Sequence, residues 1–146
     1  MKVLIIDDHA LFRLGLQGLL ERNNIQVIAT ASTGQEGLAL AQNTNADVIL
    51  LDMRMPDMDG LKVLKGLRAQ GVTIPISMLT TSTEDEDLVE SLRNGAQGYL
   101  LKDMDPQELY LALHKIVSGE TVVAPQLAGK LAHALQGKPV GEPPKT

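Results

Sequence analysis

The sequence predicts an α/β fold: a doubly wound, five-stranded parallel sheet with helices on both faces. Two observations carry the prediction. Five short aliphatic runs recur along the chain, and the longer segments between them place apolar residues at helical spacing. Strands buried on both faces read as unbroken Val, Ile and Leu runs. Strands that alternate with helices join by right-handed crossovers into a parallel sheet.

The first run is Val3 to Ile6, followed by a helical face of Phe12, Leu16, Leu19 and Leu20. Val27 to Thr30 and Val48 to Leu51 supply the second and third strands. A helix carrying Leu61, Leu64 and Leu67 follows the third. Ile76 to Leu79 and Tyr99 to Leu101 complete the five. Between those two, STEDEDLVE suits a helix start, where negative charge meets the positive end of the helix dipole; its other reading is a partner-recognition surface. After the fifth strand, Leu109, Ala112, Leu113, Ile116 and Val117 trace one apolar helical face behind Pro106, and Gly119 ends it. Pro125 then opens a sixth, Ala-rich helix. The closing GKPVGEPPKT has the composition of a linker. The expected organisation is a domain over 1–120, a linker helix over 121–137 and a flexible linker end over 138–146.

Composition excludes several functions. At 146 residues and 44% hydrophobic, the chain suits one domain of common size with a tail left over. Its aromatic residues are Phe12, Tyr99 and Tyr110 alone, too few for a base-stacking platform. A net charge of −5 argues against holding nucleic acid unaided, because that affinity comes largely from Lys and Arg neutralising phosphates. With no cysteine there are no disulfides, no thiol catalysis and no thiolate metal site, which fits a reducing compartment. The apolar run in MKVLIIDDHA is too short for a secretory signal, and no stretch reaches spanning length. A cytoplasmic protein without a membrane partner is expected.

In an open parallel sheet, ligands bind outside the carboxyl ends of the strands, where the strand order reverses. The first strand here ends in Asp7 and Asp8, the third in Asp52, the fourth in Thr80 and the fifth in Lys102. Clustered acids raise one another's pKa unless a cation sits among them. Mg²⁺ would resolve the repulsion, since it takes oxygen ligands from carboxylates, waters and phosphates. One carboxylate could then attack phosphorus as a nucleophile, with Lys102 and the metal balancing the phosphoryl charge and Thr80 donating a hydroxyl. Read singly, the same residues have plainer roles. Asp7 and Asp8 could cap a helix, Lys102 could be surface, Tyr99 core, and Thr81 or Ser82 could replace Thr80. Asp57 and Asp59 read as turn residues before Gly60, whose backbone geometry is unusual. His9 reads as a helix-start residue beside the acids, and His114 and His133 show no partner spacing.

Four segments together, LIIDDH, VILLDMRMPDMDG, SMLTT and GAQGYLLKD, resemble the receiver domain of bacterial two-component response regulators over about residues 1 to 120. DDH, GYLLKDMDP and ALHKIVSGE look most like its nitrate/nitrite regulator branch, the NarL/LuxR type. The resemblance implies the flavodoxin-like strand order 2-1-3-4-5. It implies that Asp52 accepts a phosphoryl group from the phosphohistidine of a sensor histidine kinase. Asp8 and Asp52 would ligate Mg²⁺ directly, Asp7 mainly through water, and the backbone carbonyl of Arg54 would add a ligand. Thr80 and Tyr99 would be the switch pair and Lys102 the phosphate-pairing lysine. Implied partners are the kinase, a second copy on phosphorylation, and DNA only through a C-terminal helix-turn-helix domain. Two departures stand out. Arg54 replaces a usual Asn, which leaves the aspartyl-phosphate lifetime open, and the chain stops in its linker, so it reads as a receiver fragment lacking that domain.

Other functions fit less well. An Asp-nucleophile phosphohydrolase of the haloacid dehalogenase type wants a second Asp two residues after the first, but Asp7 is followed there by His9 and Asp8 by Ala10. Neither GxxxxGK[ST] nor GxGxxG occurs, which removes two nucleotide-binding signatures. A stand-alone receiver acting through protein contacts shares all the site chemistry and stays open.

Overall fold

The computed structural model describes residues 1–81 and 87–136. The acidic run over 82–86, with Ser82, and the linker end over 137–146 lie outside the described residues. Six parallel strands form one sheet in the order β2-β1-β3-β4-β5-β6. They are β1 (Lys2–Ile6), β2 (Gln26–Ala31), β3 (Val48–Asp52), β4 (Ile76–Thr80), β5 (Gly98–Leu101) and β6 (Val122–Val123). The helices are α1 (Ala10–Arg22), α2 (Gly34–Ala41), α3 (Gly60–Ala69), α4 (Leu88–Arg93), α5 (Pro106–Val117) and α6 (Pro125–Gln136).

Every residue of β3 and β4 is buried, as their unbroken apolar sequences require. Alternate residues feed two cores. Leu4, Ile6, Ile49 and Leu51 pack with Val63, Leu64 and Leu67 of α3 on one face, while Val3, Ile5, Val48 and Leu50 meet Leu16, Leu20, Leu113 and Ile116 of α1 and α5 on the other. Pro106 opens α5, and Gly119, at φ 107°, follows its C-cap. Val117 departs from the expected face and is exposed at the last turn.

Register brings the strand ends together. Ile6 pairs with Leu51, Asp52 with Leu79, and Thr80 with Leu101. Asp7, Asp52, Thr80 and Lys102 therefore emerge on one rim. The chain steps from β1 out to β2 and back across to β3, so Asp7 and Asp52 flank the point of reversal.

The expected five strands keep their order, and a sixth is added at the edge. Val122 and Val123 pair with Gly98 and Tyr99, and the Ala124 N–H donates to the Tyr99 carbonyl at 2.9 Å. Two valines are too few to register as a strand in the sequence, yet they satisfy backbone groups that β5 would otherwise leave open. Helix α6 then folds back on the domain: Leu127 is fully buried in the same apolar cluster as Leu88 and Tyr99. Leu127→Ala should therefore cost about 2–4 kcal/mol of stability in urea unfolding. Leu135→Ala, at an exposed position, should fall within about 0.5 kcal/mol of wild type.

Candidate functional site

The rim gathers one cation and three acids. Asp7 and Asp52 are almost wholly buried, 0% and 2% exposed, whereas Asp8 is partly open to solvent. The Lys102 Nζ lies 2.8 Å from Asp7 Oδ2 and 3.2 Å from Asp52 Oδ1, and 4.5 Å from the centre of the Phe12 ring. The stem of this lysine is covered, so its ammonium is aimed rather than solvated; its side chain is 6% exposed. The Arg54 backbone N–H donates to Asp52 Oδ1 at 3.2 Å and the His9 N–H to Asp7 Oδ1 at 2.8 Å. Asp8 Oδ1 and Asp52 Oδ2 are buried with no hydrogen-bond donor among the described residues. Unpartnered buried oxygens are costly, and here they face one another.

Burial raises the Asp52 pKa to about 6, and the neighbouring Asp7 charge adds to the rise. The Arg54 N–H and Lys102 oppose it. A hard divalent cation would relieve this repulsion and supply the missing partners of the orphaned oxygens, so the donor set fits Mg²⁺.

The turn after β3 shapes the site from below. Asp59 caps α3 by accepting from the Lys62 N–H, and Asp57 accepts from the Gly34 N–H at 3.1 Å, tying the turn to α2. Both are turn residues, as the sequence indicates. Gly60 is needed for closeness: a Cβ there would collide with the Asp52 carbonyl oxygen and stand 2.8 Å from the Met53 Cα. Its φ is not positive, so the unusual geometry expected of it is a close approach rather than a left-handed conformation.

Arg54 turns its guanidinium to Asp87 at the start of α4, 3.0 Å away, and presents only its backbone N–H to Asp52. Thr80 is buried at the end of β4, and its carbonyl accepts from the Lys102 N–H at 2.8 Å. Tyr99 is buried too, within β5, in the cluster that holds Leu88 and Leu127. The residue that sequence reasoning undervalued is His9. It does begin α1, but its side chain makes no capping bond. Its Nδ1 instead lies 3.2, 3.3 and 3.5 Å from Asp7 Oδ1, Asp8 Oδ1 and Asp52 Oδ2. The signal was its place directly after two acids.

A doubly wound sheet whose carboxyl rim sets an acid cluster against an aimed lysine defines a class of α/β domains with a charged switch-point site. Within that class, the chain belongs to the response regulator receiver domain family, whose profile matches residues 3–114. It is 42% identical over 135 residues to the nitrate/nitrite response regulator protein NarL of Escherichia coli K12, covering 92% of this chain and 62% of that protein. Among solved structures, a LuxR-family response regulator from Aurantimonas superposes with a TM-score of 0.86 at 27% identity, covering 92% of this chain and 96% of that one. The receiver domain of the sensor histidine kinase PA1611 from Pseudomonas aeruginosa, described with a magnesium ion coordinated in its active-site cleft, superposes with a TM-score of 0.73 at 25% identity, covering 81% and 98%. The chain is thus a receiver domain of the NarL/LuxR type, a signalling domain of two-component systems, and spans 62% of the length of its E. coli relative.

The raised Asp52 pKa fixes a pH dependence. Between the ordinary value of 3.8 and about 6, the folded state binds more protons at Asp52 than the unfolded chain, so stability falls as pH rises through that window. In chelator-treated protein, Asp52→Asn should gain about 1–3 kcal/mol over wild type near neutral pH. Urea titrations should show that gain vanishing below about pH 4.

Proposed function

We propose that this chain is a phosphorylation-operated switch in which Asp52 accepts a phosphoryl group from the phosphohistidine of a sensor histidine kinase. The observation that carries the reading is the position of Asp52: buried, paired with Lys102 on one oxygen, and, among the described residues, left without a donor on the other beside two further acids. In the transfer, a carboxylate oxygen of Asp52 forms the new P–O bond as the P–N bond to the kinase histidine breaks. Bound Mg²⁺ would supply charge neutralisation for the acids and the phosphoryl oxygens.

This chain's own residues do the rest. Asp7, Asp8 and Asp52, with the backbone carbonyl of Arg54, would hold the cation. Lys102 pairs with a phosphoryl oxygen, for which its ammonium, already 3.2 Å from Asp52 Oδ1, needs little movement. Thr80 turns its hydroxyl toward the phosphate, and Tyr99 follows as a packing element. Phosphorylation adds roughly two negative charges at the rim and shifts a two-state equilibrium at the face of α4, β5 and α5. The domain turns over no other substrate; its chemistry is its own phosphorylation and dephosphorylation. It functions in the cytoplasm, dimerises on phosphorylation, and reaches DNA only through a helix-turn-helix output domain of the longer regulator. The NarL relative, a nitrate/nitrite response regulator protein of which this chain covers 62%, supports that arrangement over a stand-alone receiver.

Intact mass after incubation with acetyl phosphate tests the reading. One added phosphoryl group is expected in wild type with Mg²⁺, and none without Mg²⁺ or in Asp52→Asn. An adduct that persists in Asp52→Asn would refute it. If no adduct accumulates, beryllofluoride with Mg²⁺ should still bind wild type, and failure there would refute it as well. Lys102→Met should slow adduct formation by about 10²–10³-fold, the usual effect of removing one charge-stabilising donor.

A further inference from the structure

The three carboxylates at the rim divide their oxygens between two nitrogens. Lys102 takes Asp7 Oδ2 and Asp52 Oδ1, whereas Asp7 Oδ1, Asp8 Oδ1 and Asp52 Oδ2 all lie toward His9 Nδ1, which is itself 3.3 Å from the Lys102 Nζ. The last two of those oxygens are buried without a hydrogen-bond donor among the described residues. Asp7, Asp8, His9 and Asp52 each offer one ligand atom within 4.8 Å of those of the others. We propose that His9 is a nitrogen ligand in the cation site, so that this site favours late first-row divalent ions such as Co²⁺, Ni²⁺ or Zn²⁺ over Mg²⁺ more than an all-oxygen site would. The inference rests on the reading that the acid cluster holds a divalent cation, and it adds a donor and a selectivity to that reading.

The distances suit the role. Adjacent donors around an octahedral ion at about 2.0–2.2 Å are about 2.8–3.1 Å apart. The nitrogen-to-oxygen separations of 3.2, 3.3 and 3.5 Å would need to close by only a few tenths of an ångström around an ion. The backbone already holds the residue in place, because the His9 N–H donates to the same Asp7 Oδ1 that its ring approaches. The ring is 58% exposed, so the side opposite the acids stays open to water and exchanging ions. The ring makes no capping bond; its Nδ1 contacts Asp7 Oδ1 at 3.2 Å and the Lys102 Nζ at 3.3 Å, and an ion held by His9 would take the place of the lysine contact. A neutral imidazole is a borderline donor that suits Ni²⁺ and Zn²⁺, whereas Mg²⁺ is a hard ion that prefers oxygen and keeps its waters.

Two measurements on the whole chain test this. Calorimetric titration with Co²⁺ and with Mg²⁺ should give wild type a Co²⁺ preference that falls by about tenfold or more in His9→Ala and His9→Asn. Proton NMR of the Co²⁺-loaded protein should show one hyperfine-shifted, exchangeable imidazole N–H resonance that is absent from both variants, in which His114 and His133 remain. A Co²⁺ complex lacking that resonance, or one that keeps it in the variants, would overturn the inference and leave the cation site itself standing. Failure of wild type to bind either ion would overturn both.

Discussion

Three carboxylates share the end of a sheet whose interior is almost entirely aliphatic, and much else in the molecule answers to that crowding. Asp7 and Asp52 cannot move apart, because Ile6 and Leu51 are paired in register directly behind them. Nor can they be hydrated freely, since both are buried. Lys102 compensates one side of the cluster; the other side keeps two orphaned oxygens. The raised Asp52 pKa expresses the same deficit in protons. A group poised between protonation, cation binding and phosphorylation is what a reversible switch requires, and the rigid strands behind it keep the competing states close in geometry.

The same rim is wired to the far edge of the sheet. Thr80 and Lys102 are joined by a backbone hydrogen bond across the ends of β4 and β5, and Tyr99 lies three residues before the lysine. The Tyr99 carbonyl accepts from Ala124, and its buried ring shares one cluster with Leu88 of α4 and Leu127 of α6. Interiors are close-packed, so a displaced ring must be accommodated by its neighbours. Helix α6 and α4 are those neighbours, and α6 is the element from which the chain continues beyond the described residues.

Most of this was legible in the sequence because it depends on short-range pattern. Val48 to Leu51 could only be a buried strand, and a residue at the carboxyl end of such a strand must sit on the rim. The four motifs then placed Asp7, Asp8, Asp52, Thr80 and Lys102 at neighbouring strand ends. The features that escaped depended on geometry without a periodic signature. Strand β6 is two residues long and is defined by its partner, Gly98 and Tyr99, rather than by its own sequence. Gly60 looked like a conformational residue, yet its role is the space it leaves beneath Asp52. The approach of the His9 Nδ1 to the acids, by a ring that stays more than half exposed, is a side-chain choice that no spacing encodes. Arg54 looked like an intruder at the phosphorylation site, and the structure pairs it with Asp87.

The central claim is that the carboxylate crowding is an electrostatic deficit that a divalent cation relieves. The most direct measurement is the unfolding free energy of wild type and Asp8→Asn at neutral pH, in chelator and again with Mg²⁺ about tenfold above its dissociation constant. The account predicts a gain of about 1.4 kcal/mol for wild type and a much smaller one for the variant. Equal stability of wild type in both buffers, or an equal gain in both proteins, would contradict it.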